Sequence, residues 1–367
     1  MKLRSIQFLR AIAILLVLYI HALDMGASTA PSFQWSLFHL PYFGSVGVDI
    51  FFVISGFIIT WSAGRYLGSR DAMQFLLNRF LRLIPVYWIA TLLFLAIQLH
   101  HFLTRDSSFL VSPHFIINTI FLLPFLDSKT YVLPLLQQAW TLSFEWLFYL
   151  LFFLSILLSI RRKEIFVGTT ILAAVIMGRI VQLTDARLIF LGNPILLEFL
   201  LGVALCRCYT YIKVSRPVAA AMLITAILIY GYEIVKGFGD IYVNDYTLNG
   251  QLSMTRFFVW GIPSALLVGG LLFLEKNASI GFIWNNRMMS FIGDASYSIY
   301  LTHVSIYGLC GAVFTRTGYF LNHDLAVFVL MLLAIIGGGV FYKWIELPIL
   351  NASAKYRLPK PKKMATA

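Results

Sequence analysis

Long apolar stretches separated by short polar ones set the pattern of this chain. A helix that crosses a bilayer needs about 20 consecutive, mostly apolar residues. Runs of that kind lie near 8–24, 45–62, 81–99, 140–160, 164–181, 188–206, 217–235, 256–274, 288–308 and 324–345. The pattern predicts an all-α, polytopic membrane protein with about ten transmembrane helices. A further apolar run at 115–126 is short and flanked by Pro113 and Pro124. It reads as a re-entrant or interfacial segment rather than an eleventh crossing.

Composition supports this reading. Hydrophobic residues make up 60% of the chain and charged residues 12%, where soluble domains carry about 25% charged. Mean hydropathy is +0.83. The net charge of +12 would suggest nucleic acid as a partner for a soluble protein. Here the basic residues border apolar runs, so membrane lipid and topology account for them and no nucleic-acid partner is expected. Lys2 and Arg4, then Arg65, Arg70 and Arg79, then Arg161, Arg162 and Lys163 fall on one side of the predicted crossings. Arg207, Lys213 and Arg216, then Lys276 and Arg287, and a tail with Lys355, Arg357, Lys360, Lys362 and Lys363 fall on the same side. The opposite loops are poor in both residues. By the positive-inside rule both termini are expected in the cytoplasm, and an eleventh crossing would put the Arg161–Lys163 cluster outside.

One transmembrane domain is expected over 1–350, followed by a basic cytoplasmic tail over 351–367. The first apolar run leads into Asp24 without a small-residue cleavage site, so it reads as a span and not a cleaved signal. No inverted repeat of Gly/Pro-broken helices is evident, which weighs against a secondary transporter. Cys206, Cys208 and Cys310 are spaced for packing rather than for a disulfide framework, and no metal signature occurs. The sequence does not indicate an oligomeric state.

Ionisable side chains inside these helices carry the functional signal, because each is costly in the bilayer. Arg10 and His21 are eleven residues apart. At about 100° per residue they share a helix face, about 16 Å apart along the axis. Arg10 is also explained as a snorkelling anchor, and His21 as an interfacial histidine bonded to a carbonyl. Asp49, within 47–57, has the chemistry to orient or charge-balance an imidazole, and Ser55-Gly56 admits close approach by a helix or a ligand. Arg79 and Arg82 sit one turn apart at the start of the third helix, suited either to bidentate phosphate binding or to topology alone. Glu145, inside an apolar helix, calls for a cation or a proton. Gly293–His303 opens the ninth helix and brings a second histidine, and Glu346-Leu347-Pro348 closes the tenth.

Seven stretches in order, LRAIAILLVLYIH, GVDIFFVISGF, NRFLRLIPVYW, WTLSFEWLFY, GNPILLEFLLG, GDASYSIYLTH and IELP, resemble the membrane-bound acyltransferase-3 family, in particular its exopolysaccharide-type acyltransferases. The resemblance covers nearly the whole chain. It implies a ten-helix inner-membrane protein, without the extra C-terminal domain some members carry, that moves an acyl group, commonly acetyl from acetyl-CoA, onto a carbohydrate. The family's Arg-x10-His motif falls on Arg10 and His21, its arginine pair on Arg79 and Arg82, and its glutamate on Glu145.

The expected reaction is O-acyl transfer from acyl-CoA to a hydroxyl of a cell-surface carbohydrate or a polyprenyl-linked sugar. Imidazole has the pKa range to deprotonate a hydroxyl, which assigns His21 as the base, with Asp49 or Glu145 holding its tautomer. Arg10, Arg79 and Arg82 are assigned to the CoA phosphates and Ser55 to the substrate or the developing oxyanion. An acyl-histidine intermediate, succinyl in place of acetyl, and several acceptor glycans stay open. The competing readings are a transporter or flippase of a sugar-lipid or small anion, and a non-catalytic assembly protein of the same fold.

Overall fold

A computed structural model of the chain describes residues 3–29, 40–104, 112–123, 131–181, 184–277, 286–317 and 323–354. Among these residues the chain is helical and forms no strand. The helices are α1 (Arg4–Thr29), α2 (Leu40–Phe43), α3 (Val46–Ala63), α4 (Ser69–Thr104), α5 (Pro113–Phe121), α6 (Trp140–Leu157), α7 (Lys163–Val181) and α8 (Ala186–Leu191). They continue as α9 (Leu196–Tyr211), α10 (Arg216–Lys236), α11 (Asn244–Leu248), α12 (Ser253–Arg256), α13 (Ile262–Lys276), α14 (Arg287–Thr317), α15 (His323–Phe341) and α16 (Leu347–Ala354). Ten of the resulting rods are long and apolar enough to cross a membrane, and they coincide with the ten runs of the sequence. The protein is therefore a multi-pass membrane protein. Of the expected basic tail, residues 355–367 lie outside the described residues.

Apolar periodicity alone misses three features. The third span begins not near residue 81 but at Ser69, in the 36-residue α4. Gly68, at φ +90°, makes the turn that starts it, and Asp71 Oδ2 accepts the Leu67 N–H at 2.8 Å. Arg79 and Arg82 consequently lie well inside the helix. Secondly, α5 has 9 residues, about 14 Å of rise against a hydrocarbon core of about 30 Å. Tyr87 Oη and Trp88 Nε1 of α4 donate to the Thr119 and Ile120 carbonyls at its C-terminal end, which satisfies groups that a short helix leaves open. Residues 124–126 of that predicted segment lie outside the described residues. Thirdly, Glu346-Leu347-Pro348 does not close the tenth span. A π-helical turn over Tyr342–Glu346 carries the chain into α16, and the span runs to Ser353.

The chain divides into two compact units. The first comprises 1–54, 207–244 and 255–344, and the second 55–206, 245–254 and 345–367. In the first, α1 and α14 run side by side in the same direction. Gly293 sits against the Gln7 carbonyl, Tyr307 Oη donates to the Leu18 carbonyl at 3.0 Å, and Gly311 meets Met25. With its side-chain amide turned so that the nitrogen faces the acceptors around it, Gln7 donates to the Gly293 carbonyl at 3.3 Å and to Asp294 at 3.1 Å. Glu275, at the end of α13, accepts the backbone N–H groups of Arg4 and Ser5, both at 2.9 Å, and so caps α1. In the second unit α4 packs on α6 and α16, and Gly56 of α3 meets the Phe199 carbonyl of α9. The close approach expected at Ser55-Gly56 is thus taken by a helix.

A Cβ on Gly293 would lie 2.0 Å from the Gln7 carbonyl oxygen, whereas one on Gly231 would meet nothing within 4 Å. Gly293→Val is expected to destabilise the detergent-solubilised protein by about 3 kcal/mol, the upper end for overpacking. Gly231→Ala is expected to leave the thermal melt unchanged or raise it slightly. Equal melts for the two variants would contradict the α1–α14 packing.

Candidate functional site

The ionisable residues picked out from the sequence fall into two groups, one in each unit. In the first unit α1 carries both Arg10 and His21, and both are half-buried. The His21 ring lies 5.1 Å from that of His303 on α14, centroid to centroid, tilted by 36°. His303 is fully buried, and its Nδ1 is 2.7 Å from the Tyr300 carbonyl one turn back. The Tyr307 ring packs nearly perpendicular to it, 5.7 Å between centroids. Near His21 the carboxylate is that of Asp24, with Oδ2 3.7 Å from Nδ1, too long for a hydrogen bond.

Asp49 is oriented differently from the sequence expectation. It is fully buried, and its two oxygens accept from Arg256 Nε at 2.9 Å and Nη2 at 2.8 Å. Arg256 is 1% exposed and also donates to the Ile241 and Ser45 carbonyls at 3.2 and 3.3 Å, with its guanidinium 4.9 Å from the Trp260 ring centroid. The carboxylate assigned to an imidazole is thus held in a two-pronged ion pair with a guanidinium, the stronger geometry in a dry interior. The sequence reading missed Arg256, although it is the first residue of the apolar run 256–274. The available signal was an ionisable residue at the very start of an apolar run.

The second unit holds Ser55, Arg79, Arg82 and Glu145. Glu145 Oε1 accepts from Tyr149 Oη at 2.5 Å and from Ser55 Oγ at 3.2 Å. Ser55's hydroxyl hydrogen is therefore already committed to a carboxylate. Arg79 is buried on α4, donates to Ser62 Oγ, and stacks against the rings of Phe75 and Tyr149 at 5.3 and 5.4 Å. It lies within the electrostatic reach of both Glu145 and Arg82. Hydroxyl donors, with a cation nearby, thus meet the need that Glu145 showed in the sequence. Arg79 has five N–H groups and one hydrogen bond among the described residues, so most of its donors remain for an anion. Arg82 is half-buried one turn along. Among the described residues no group of three or more His, Cys, Asp or Glu is placed to hold a metal ion.

Paired imidazoles and an under-used arginine inside the helices of a multi-pass protein are groups that a membrane-embedded acyl-transfer enzyme would need. The chain is a member of the acyltransferase-3 family, whose model, described as an acyltransferase domain, matches residues 3–344. It is 30% identical to the exopolysaccharide production protein ExoZ of Rhizobium meliloti (strain 1021), across 86% of this chain and 92% of that protein. It is 25% identical to the O-acetyltransferase OatA of Staphylococcus aureus (strain NCTC 8325 / PS 47), across 87% of this chain and 55% of that protein. A putative O-acetyltransferase of S. aureus (strain COL) is also 25% identical, over 85% and 54%. The chain thus spans about half the length of the staphylococcal relatives. No solved structure matches it. The family resemblance carried by the seven stretches is borne out, and the protein is an O-acyltransferase.

Removing one member of a buried ion pair leaves the other charge uncompensated and costs about 3–5 kcal/mol, whereas replacing both with apolar groups costs far less. Asp49→Leu and Arg256→Met are each expected to lower the melting temperature strongly in detergent. The double variant is expected to melt above either single one. Strictly additive losses would contradict the pairing.

Proposed function

We propose that this enzyme transfers an acyl group, acetyl in the first instance, from acyl-CoA to a hydroxyl of a cell-surface carbohydrate or its polyprenyl-linked precursor, with His21 as general base. The acceptor hydroxyl gives its proton to His21 as its oxygen attacks the thioester carbonyl carbon. The C–O bond forms, the C–S bond breaks, and the proton passes from His21 to the departing CoA thiolate. The observation that carries the assignment is the half-buried imidazole of His21 beside a fully buried second imidazole. At 35% side-chain exposure the ring keeps surface for a substrate while it packs against His303. The names of the relatives, exopolysaccharide production protein and O-acetyltransferase, support a carbohydrate acceptor and an acetyl donor.

Arg79 and Arg82 are proposed to bind the phosphates of the CoA donor, with Arg10 as a further cation on α1. The buried Arg79, with one hydrogen bond and two ring contacts, has the free donors that two-pronged phosphate recognition uses. Ser55 and Glu145 contribute by holding Tyr149 beside that guanidinium. Asp49 contributes by fixing Arg256 and the start of α3, a structural part in the catalytic unit. The distribution of Lys and Arg supports an inner-membrane location with both termini in the cytoplasm.

Mass spectrometry of surface glycans from cells with and without the protein reads the reaction directly. A constant added mass, 42 Da for acetyl, is expected only with the protein (about the mass of ketene, C2H2O). His21→Ala is expected to lose transfer by about 10²–10⁴-fold, the usual worth of a general base, at unchanged abundance in the membrane. Full activity in that variant removes the base assignment, and a substrate relocated without a mass change restores the transporter reading. For topology, a fluorescent protein fused after Ala367 is expected to be bright and alkaline phosphatase fused there inactive. The reverse result would invert the orientation.

A further inference from the structure

The chemistry proposed above leaves His303 without a role. Its Nδ1 faces the Tyr300 carbonyl oxygen at 2.7 Å. A carbonyl only accepts, so Nδ1 carries the ring hydrogen and Nε2 is left as a lone pair. The ring is fully buried, and Nε2 has no hydrogen-bond partner among the described residues. Buried acceptors without a donor are costly and rare in folded proteins. Tyr307, packed nearly perpendicular to the ring, donates its hydroxyl hydrogen to the Leu18 carbonyl instead. His21 is the neighbouring ring at 5.1 Å, and its Asp24 contact of 3.7 Å leaves its own N–H uncommitted among the described residues.

We propose that His303 is the positioning residue for His21. Its Nε2 accepts the His21 N–H, fixes that ring's tautomer, and leaves the other His21 nitrogen as the lone pair that meets the acceptor hydroxyl. When His21 takes the acceptor's proton, the same hydrogen bond becomes charge-assisted and strengthens. His303 neither gains nor loses a proton, and the bonds made and broken are those of the transfer already written. An imidazole thus fills the place that a carboxylate takes in a hydrolase triad. The site explains the exchange, since a carboxylate with no exposure beside α1 would need a cation, and a neutral ring does not. The inference depends on His21 being the base.

The test uses the full chain in membranes of its native host lacking the chromosomal copy. It follows transfer of label from radiolabelled acetyl-CoA to the polysaccharide fraction. His303→Leu is expected to lower kcat by about 10–100-fold, the usual cost of losing an orienting partner. Its KM for acetyl-CoA should stay within about twofold of the parent, since no donor binding is lost. His303→Gln places an amide oxygen near the lost Nε2 and is expected to recover activity to within about fivefold of the parent. A monodisperse elution profile in detergent accompanies each measurement. Where His303→Leu does not fold, His303→Gln against His303→Met makes the same comparison. Parental kcat in His303→Leu overturns the proposal, as does a Gln variant no better than Leu or Met. His21→Ala measured alongside separates the two assignments: full activity there removes the base itself. An inactive His21→Ala together with a fully active His303→Leu removes only the positioning role.

Discussion

The Asp49–Arg256 pair sets the arrangement of the first unit because two charges withdrawn from water tolerate little displacement. Each alone would cost several kcal/mol in a dry interior, and only close, two-pronged contact with the remaining N–H groups satisfied offsets that. The geometry meets this condition, with two bonds to the carboxylate and others to the Ile241 and Ser45 carbonyls. The start of α3, the 3-10 turn at Gly239–Tyr242 and the start of the eighth span are thereby held at one point. From there contact passes along the unit. Gly44 and Gly47, flanking the first residue of α3, lie against the Leu16 and Ala13 carbonyls of α1. On its other contacts α1 meets α14 through Gln7, Leu18 and Met25. The facing of His21 and His303 is the end of that chain of contacts.

The second unit meets the same constraint by a different route. Glu145 has two hydroxyl donors and no ion pair among the described residues, and Arg79 has a hydroxyl and two aromatic faces. The difference separates a structural arginine from one suited to ligands. Arg256 uses its donors on the protein, so an incoming phosphate would first have to break a buried ion pair. Arg79 keeps its charge and most of its donors. Cation–π contacts hold the guanidinium plane without consuming N–H groups, which leaves it pre-oriented for an anion at little further entropic cost.

Most of the fold was legible in the sequence because bilayer spans are long and written in composition. All ten apolar runs correspond to helices. The errors of extent have one cause: hydropathy marks where a helix is apolar and not where its hydrogen bonds begin. The segment 69–80 is helical but polar enough to look like a loop, which moved Arg79 from a helix end to a helix interior. The site was legible only in part. Periodicity put Arg10 and His21 on one helix, and it supplied no partner for Asp49, because partners 207 residues away in sequence are set by tertiary packing alone. His303 was visible as a second intramembrane histidine. Its relation to His21 depends on the register of α14 on α1, which Gly293 fixes by contact with Gln7, and a glycine in an apolar run signals a close approach without naming the surface approached.

Backbone chemistry also aims Arg256 at Asp49. Pro263 has no N–H and its ring crowds the carbonyl four residues back, so a regular helix cannot continue through it unchanged. The chain answers with a π turn over Phe257–Gly261, in which the Ile262 N–H reaches the Phe257 carbonyl five residues behind. One extra residue in a turn rotates everything before it by about 100° relative to everything after it. Arg256, the last residue before that turn, therefore faces a different side from the one α13 would give it by straight extension, and that side holds Asp49. The same spacing recurs at the tenth span, where a π turn ends at Glu346 two residues before Pro348. In both places a proline goes with a rotation of the helix, although Glu346-Leu347-Pro348 reads from sequence as the close of the tenth span. At the first of them the rotation joins two charges whose pairing fixes the start of α3, and through α3 the register of the helix that carries His21.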